Sequence, residues 1–262
     1  MLDHQSGEIF ESEDAGIYYE VVGPSLGHPL LLLHGGLGSL ADFSAIINAI
    51  PDSFRVIAVD LRGHGRSTLG SKPLTYQQHQ LDIQALINHL GFSQYTLLGF
   101  SDGGIVAYRI ASNNPAINAL ITVGARWRIS RQDPSFGILS GVTPAIWAEM
   151  FPDAPAKFAA LNPKGDFNKL VQSCVDLWTD FGQTGYPGES ITHIGCPTLI
   201  IRGDGDFLLS LSDAVEARSK IPGSSFGNIP FSSHAALEDA PKVCGEIIHD
   251  FLKKPRKARD KA

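Results

Sequence analysis

The sequence predicts an α/β fold, a mostly parallel, doubly wound sheet, and two observations carry that prediction. The first is a series of short, strongly apolar segments: LLLLH at 30–34, FRVIAVD at 54–60, YTLLGF at 95–100, ALITVG at 119–124 and TLIIRGD at 198–204. Segments of this length with no polar alternation are strands buried on both faces, as in a parallel sheet covered by helices. The second is what lies between them. Amphipathic stretches at 42–50, 75–90 and 104–113 are long enough to act as the right-handed crossovers that parallel neighbours require.

Each remaining element follows in chain order. GEIFES at 7–12 and IYYEVVG at 17–23 show a partial two-residue period around a glycine, which predicts an antiparallel hairpin on one edge of the sheet. After Ala125 the strand rhythm stops. TPAIWAEMF, DAPAKFAALN and DFNKLVQSCVDLWTDF read as helices separated by Pro and Gly, and strands resume only at Pro197. This predicts a helical cap, residues 127–188, inserted after the sixth strand into a core formed by 1–126 and 189–252. The insertion holds all three tryptophans, Trp127, Trp147 and Trp178. Such an aromatic load either forms the insertion's own core or roofs a substrate pocket.

Composition narrows the function classes. At 262 residues, 43% hydrophobic and 18% charged, the chain can bury a large single core. The formal charge is −6, yet residues 253–262 carry six Lys or Arg and one Asp, so the rest is more acidic still. An acidic body argues against nucleic acid as the main partner, and the basic tail is expected to be solvated and disordered. No apolar run approaches the roughly 18–20 residues that cross a bilayer, and the acidic, polar start is unlike a signal peptide. A cytoplasmic protein, monomer or homodimer, acting on a small molecule and away from membranes, is the expectation. Cys174, Cys196 and Cys244 are an odd number, far apart and without paired spacing, and read as buried thiols.

The chemistry is concentrated in GFSDGG at 99–104. It fits G-x-S-x-G and joins an apolar strand directly to a helical run, the context in which a serine is held on a sharp turn at a helix N-terminus. The bland alternative is a glycine-rich turn with a capping serine. A serine hydroxyl needs a base, and the base needs an orienting carboxylate. GDGD after TLII supplies Asp204 and Asp206, and PFSSHAALEDAP after the next short strand supplies His234. Of the nine histidines, this is the one in a loop following a late strand. No dinucleotide fingerprint, phosphate-binding loop or ligand cluster appears, so neither a cofactor nor a metal is expected.

Taken together, HGG at 34–36, DLRGHGRS at 60–67, GFSDGG, GDGD at 203–206 and H-x-x-x-E-D-x-P at 234–241 resemble the α/β-hydrolase superfamily over nearly the whole chain. The resemblance implies a Ser101–His234–Asp206 triad, since the family's G-x-x-D acid falls on Gly203 and Asp206. It also implies an oxyanion hole from the N–H groups of Gly36 and Asp102, with Leu37 the near alternative. His34, Asp60, Arg62 and His64 read as loop scaffold. GFSDGG is similar to the serine motif of the biphenyl hydrolase-like group, whose aspartate after the serine recognises the amino group of amino-acid esters.

The Asp102 side chain therefore has two readings: a helix-end carboxylate turned away from the site, or an amine receptor. As an ion about 6 Å from a forming oxyanion it would repel it by roughly 3 kcal/mol at an effective dielectric near 20. The candidate substrate contacts are Asp102, Leu37, Trp127, Trp147 and Trp178. The expected activity is hydrolysis of a small carboxylic ester, thioester or lactone. Enol-lactone opening, carbon–carbon hydrolysis, perhydrolysis, amide cleavage and a non-catalytic receptor remain alternatives on the same fold.

Overall fold

In the computed structural model, which describes residues 2–254, one eight-stranded sheet forms the centre. Its strands are β1 (Glu8–Ser12), β2 (Ala15–Val22), β3 (His28–Leu33), β4 (Phe54–Val59), β5 (Tyr95–Phe100), β6 (Ile117–Val123), β7 (Thr198–Gly203) and β8 (Ser225–Ile229). They lie in the order β1-β2-β4-β3-β5-β6-β7-β8. The pairs β1–β2 and β2–β4 are antiparallel, and every pair from β4–β3 onward is parallel. The predicted edge hairpin is thus β1–β2.

Alternate residues of the central strands feed two apolar layers. Leu31, Leu33, Ile57 and Val59 face the layer that contains α1 (Tyr76–His89) and α2 (Asp102–Ala111). Leu30, Leu32, Val56 and Ala58 face the other, with Phe43, Ile46 and Ile248. Local chemistry fixes the helix ends. Thr75 caps α1 by accepting from the Gln78 N–H, and Ser210 caps α7 (Leu211–Lys220) through the Asp213 N–H, each satisfying an otherwise orphaned donor. The chain closes with α8 (Ala236–Asp239) and α9 (Pro241–Lys253).

Between β6 and β7 lie α3 (Pro134–Ser140), α4 (Pro144–Met150), α5 (Ala154–Leu161) and α6 (Phe167–Trp178). Three coincide with the helices expected for the insertion, whereas α3 falls in a stretch without a helical expectation. Its start, Pro134 after Asp133, is a proline-initiated turn with little amphipathic signal. The segment expected as a helix at 42–50 is instead two 3₁₀ turns, Leu40–Phe43 and Ile47–Ala49. Its buried residues Leu40, Phe43 and Ile46 recur every three positions, matching the three-residue turn of a 3₁₀ helix rather than 3.6. Of the basic tail, Lys253 ends α9 and Lys254 follows it; the rest, and with it the expectation of disorder, lies outside the described residues. No described helix is long and apolar enough to cross a membrane.

Candidate active site

The carboxyl ends of β3, β5, β7 and β8 converge, which is where open α/β sheets place ligands. At the end of β5, Ser101 has φ 48° and ψ −116°, a conformation costly for a residue with a side chain. Four backbone hydrogen bonds hold it there. The Ser101 N–H donates to Val123 O, the Gly103 N–H to His34 O, and the Gly104 and Ile105 N–H groups to Ser101 O, at 2.8 to 3.0 Å. The flanking glycines are required by space. A Cβ on Gly103 would lie 1.9 Å from Leu33 O, and one on Gly99 2.3 Å from Gly103 O.

Ser101 Oγ lies 3.0 Å from His234 Nε2. On the other side of the ring, Nδ1 is 3.0 Å from both carboxylate oxygens of Asp206. Asp206 Oδ1 also accepts from the Leu208 and Leu209 N–H groups, both at 2.9 Å. An acceptor at Nδ1 holds the proton on that nitrogen and leaves the Nε2 lone pair facing the serine hydroxyl. Of the two candidate acids, Asp206 meets His234, while Asp204 turns outward and accepts from Asn228 Nδ2 at 2.7 Å.

Several residues behind this chain of contacts were given no role in the sequence, although Asp239 falls in the quoted motif at 234–241. Arg202, buried at the end of β7, donates to the carbonyls of Asp204, Asp206 and Leu209 and to Asn228 Oδ1, so one guanidinium fixes the acid loop. Gly124 (φ 60°) leaves room for the pair, since a Cβ there would sit 3.1 Å from His234 Cε1 and 3.3 Å from Asp206 Oδ2. Asp239 accepts from both the N–H and the hydroxyl of Ser233 at 2.6 Å, steadying the histidine loop. The rings of Phe100 and Phe207 stand 5.3 and 6.2 Å from that of His234.

The N–H groups of Gly36 and Asp102 donate to no described acceptor. Gly36 packs against the serine turn, where a Cβ would lie 2.4 Å from Asp102 Oδ2, and Leu37 follows it with φ 58°. His34 pins the same loop. Its Nδ1 donates to Gly35 O at 2.7 Å and its Nε2 accepts from the Leu61 N–H at 2.9 Å. Asp60 accepts from the Leu40 and Arg66 N–H groups. Arg62 forks onto Asp82, and His64 Nδ1 lies 2.9 Å from Arg62 O. Burial lowers the pKa of both His34 and His64, the latter to about 3.

Asp102 is 4% exposed. It takes neither an outward, solvated position nor a cation. Its Oδ1 accepts from the Tyr76 hydroxyl at 2.8 Å and its Oδ2 from the Trp178 indole N–H at 2.7 Å. Burial raises its pKa, against the pull of Trp178, Tyr76 and His234. Trp178 ends α6, so this carboxylate ties the inserted helices to the serine turn. Trp147 lies against Trp178 with ring centroids 6.4 Å apart, and Leu37 is partly buried beside the same loop.

Trp127 does not belong with them. It is 1% exposed, its indole donates to Asp213 O at 3.2 Å, and the cations of Arg128 and Lys220 lie over its ring at 4.4 and 5.1 Å. Trp127 packs the insertion onto α7 and is removed from the substrate-contact set. Cys174, Cys196 and Cys244 are free and buried. Among the described residues no group of three or more His, Cys, Asp or Glu side chains is placed to hold a metal ion.

A strained serine turn after the fifth strand, met by a histidine and an aspartate from the last two strand ends, on a sheet of this order, defines the class of α/β hydrolases. The comparison with known proteins agrees: the α/β hydrolase fold family matches residues 28–178, and the chain belongs to that family. It is 28% identical to the serine hydrolase BPHL of Mus musculus over 247 residues, 90% of this chain and 82% of that protein. Among solved structures it resembles a carboxylesterase from the thaumarchaeon Nitrososphaera gargenis, with 25% identity, TM-score 0.76, and coverage of 94% and 97% of the two chains. The enol-lactonase of Burkholderia xenovorans LB400 shares the fold at 18% identity, with TM-score 0.75 and coverage of 94% and 100%.

Proposed function

We propose that the protein is a serine hydrolase that cleaves a small carboxylic ester, thioester or lactone through an acyl-enzyme. The observation that carries this reading is the continuous chain Ser101 Oγ–His234 Nε2 and His234 Nδ1–Asp206, each step 3.0 Å. In the first half-reaction His234 takes the Ser101 proton as the oxygen attacks the carbonyl carbon, and Asp206 stabilises the imidazolium. The N–H groups of Gly36 and Asp102 receive the oxyanion, a contribution of about 3 kcal/mol for each donor. As the tetrahedral species collapses, the imidazolium hands its proton to the leaving alcohol, thiol or ring oxygen. Water then repeats the cycle on the acyl-enzyme, and Ser101 recovers its proton. The serine hydrolase and carboxylesterase among the relatives support the same class.

The geometry supports neutral chemistry around Asp102. Asp102 is 4% exposed behind Tyr76 and Trp178, each of which donates to one of its oxygens, so an amine would have to open this buried contact to reach the carboxylate. The side chain therefore acts as a structural tie, and the Asp102 N–H as the functional group.

A fluorophosphonate probe tests the proposal. The wild type is expected to be labelled and Ser101→Ala spared, with turnover of at least one member of an ester, thioester and lactone panel lost in the variant. Absence of labelling in both proteins, with no turnover across the panel, would leave a ligand-binding role on this fold.

A further inference from the structure

The turn that carries the acid, residues 206–209, is gripped by two buried guanidinium groups. Arg202, from the sheet, donates to the carbonyls of Asp206 and Leu209. The other is Arg126, 5% exposed and just past the end of β6. Its Nη1 donates to Leu208 O and, at 2.6 Å, to Ser135 Oγ, and its Nε donates to Arg128 O at 3.1 Å. Its Nη2 lies 3.1 Å from Asp133 Oδ1 and 3.7 Å from Asp213 Oδ2. Asp133 and Ser135 stand at the start of α3, the first helix of the insertion.

The bond to Leu208 O falls on a particular peptide. The C=O of Leu208 and the N–H of Leu209 belong to one planar unit, and that N–H donates to Asp206 Oδ1 at 2.9 Å. Arg126 therefore stands at the end of a chain that runs through the 208–209 peptide to Asp206, His234 and Ser101. A cation on the peptide oxygen polarises the unit and strengthens its N–H as a donor. Holding the oxygen also holds the direction of that N–H.

We infer that Arg126 is a positioning residue: it orients the Asp206 carboxylate through the 208–209 peptide and, anchored on Asp133, makes that orientation depend on the seating of α3. The inference rests on the hydrolase reading for the role of Asp206. A guanidinium this deep needs counter-charge, and Asp133 and Asp213 supply it. Arg128 also draws on Asp213, at 3.1 Å, and on Glu216 at 2.6 Å, which leaves Asp133 the nearer and less divided partner of Arg126. Against burial, Arg126 and the Ser130 N–H hold the Asp133 carboxyl below the usual carboxylate range. The two carboxylates suffice to neutralise the cation, and the arm on Leu208 O is a separate contact, made to the acid turn.

The rate of fluorophosphonate labelling of Ser101 tests this without a known substrate. Arg126→Met removes the fork but leaves two carboxylates buried without their cation, so Arg126→Lys is measured beside it. An ammonium keeps the charge near Asp133 and lacks the fork that also reaches Leu208 O. Each variant is expected to slow labelling by about three- to tenfold, the range of one hydrogen bond. Asp133→Asn, at a side chain 20% exposed, keeps the test if either variant fails to fold, and should slow labelling by about threefold.

The deciding comparison is made in Asp206→Asn, with excess probe. There the same substitutions should change the rate by less than about twofold, the usual error of additivity, because the residue they act through is gone. A purely structural clamp would give the full loss in both backgrounds. That result, or labelling of Arg126→Lys within about twofold of the wild type, overturns the inference, and labelling of Asp133→Asn at the wild-type rate overturns the dependence on α3.

A second readout needs no reaction. The downfield proton resonance of the His234 Nδ1–H reports its bond to Asp206, and it should move in Arg126→Lys and stay in place in Asp204→Asn. An unlabelled wild type whose resonance responds in this way would refute the hydrolase reading alone. A labelled wild type whose rate and resonance ignore Arg126→Lys would refute the positioning role alone.

Discussion

Replacing His79 by leucine removes an imidazole that the fold holds without a hydrogen-bond partner, and the size of the effect follows from proton linkage. His79 lies on α1 with 1% exposure, neither ring nitrogen has a partner among the described residues, and its ring sits 6.1 Å from that of His64. Burial, followed by His64, His34 and Arg62, holds its pKa well below 6.5. An unfolded histidine titrates near 6.5. Because the folded pKa is the lower one, stability is fully present above about pH 6.5 and is lost as pH falls toward the folded value.

At pH 5.5 the unfolded state gains about RT ln 11, or ~1.4 kcal/mol, by protonating this one residue, and at pH 8 almost nothing. Urea unfolding of the wild type and His79→Leu at the two pH values reads the difference directly. The variant should be more stable, relative to the wild type, by about 1.4 kcal/mol more at pH 5.5 than at pH 8. His34 and His64 carry the same sign, and the raised carboxyls of Asp42 and Asp102 the opposite one, but both proteins contain them and they largely cancel. A change between the two pH values smaller than about 0.5 kcal/mol, the usual error of additivity, would refute the assignment of a neutral, buried His79.

Three substitutions test the site itself. Asp206→Asn is expected to lower kcat on any accepted ester by about 10⁴, the loss seen when a triad histidine is left in the wrong tautomer. Asp204→Asn, at an exposed position, should stay within about twofold of wild type, and comparable losses in steady-state assays of the two would reject Asp206 as the orienting acid. Trp178→Phe keeps the ring and removes the N–H bonded to Asp102, a charge-assisted bond worth about 1.5–3 kcal/mol. That bond favours the ionised carboxyl, so the destabilisation measured in urea should be larger at pH 8 than at pH 5.

The fold was legible because its signals are local. Leu30–Leu33, Val56–Val59 and Leu199–Ile201 are apolar on both faces, and a strand between two helical layers admits little else. The serine and its histidine each follow a strand end in chain order, whereas Asp204 and Asp206 follow the same strand and were separated only by the G-x-x-D spacing of the family that the chain resembles. What was not legible depends on partners distant in sequence. Tyr76 and Trp178 reach Asp102 from 26 positions before it and 76 after it, and no spacing announces such a meeting. Arg202 looks like any strand-terminal charge until the loop folds back over it. Trp127 misled because its burial under α7 comes from Asp213, Arg128 and Lys220, and aromatic content alone does not distinguish a pocket roof from a packing contact. The 3₁₀ turns after β3 differ from a helix only in whether Leu40, Phe43 and Ile46 continue at three or at 3.6 residues per turn.

The Asp102 carboxylate bears on the chemistry through its own backbone. Its N–H is a proposed oxyanion donor, and the direction of that N–H depends on how firmly residue 102 is held at the first turn of α2. Two distant elements hold it: Tyr76 at the start of α1 and Trp178 at the end of α6. Gly36, the other proposed donor, packs on the same assembly, for a Cβ there would lie 2.4 Å from Asp102 Oδ2 and 2.8 Å from the Trp178 ring. Both donors are therefore positioned by one buried contact that includes the inserted helices. The cost is a negative charge near a forming oxyanion, roughly 3 kcal/mol at about 6 Å if left bare. Burial that raises the Asp102 pKa and two neutral donors that spread the charge of its ionised form act together to reduce that cost, whereas a cation would cancel it only by opening the site. A device of this kind makes the oxyanion hole depend on docking of α6, so a change that loosens α6 should lower kcat before it disturbs the Ser101–His234–Asp206 geometry.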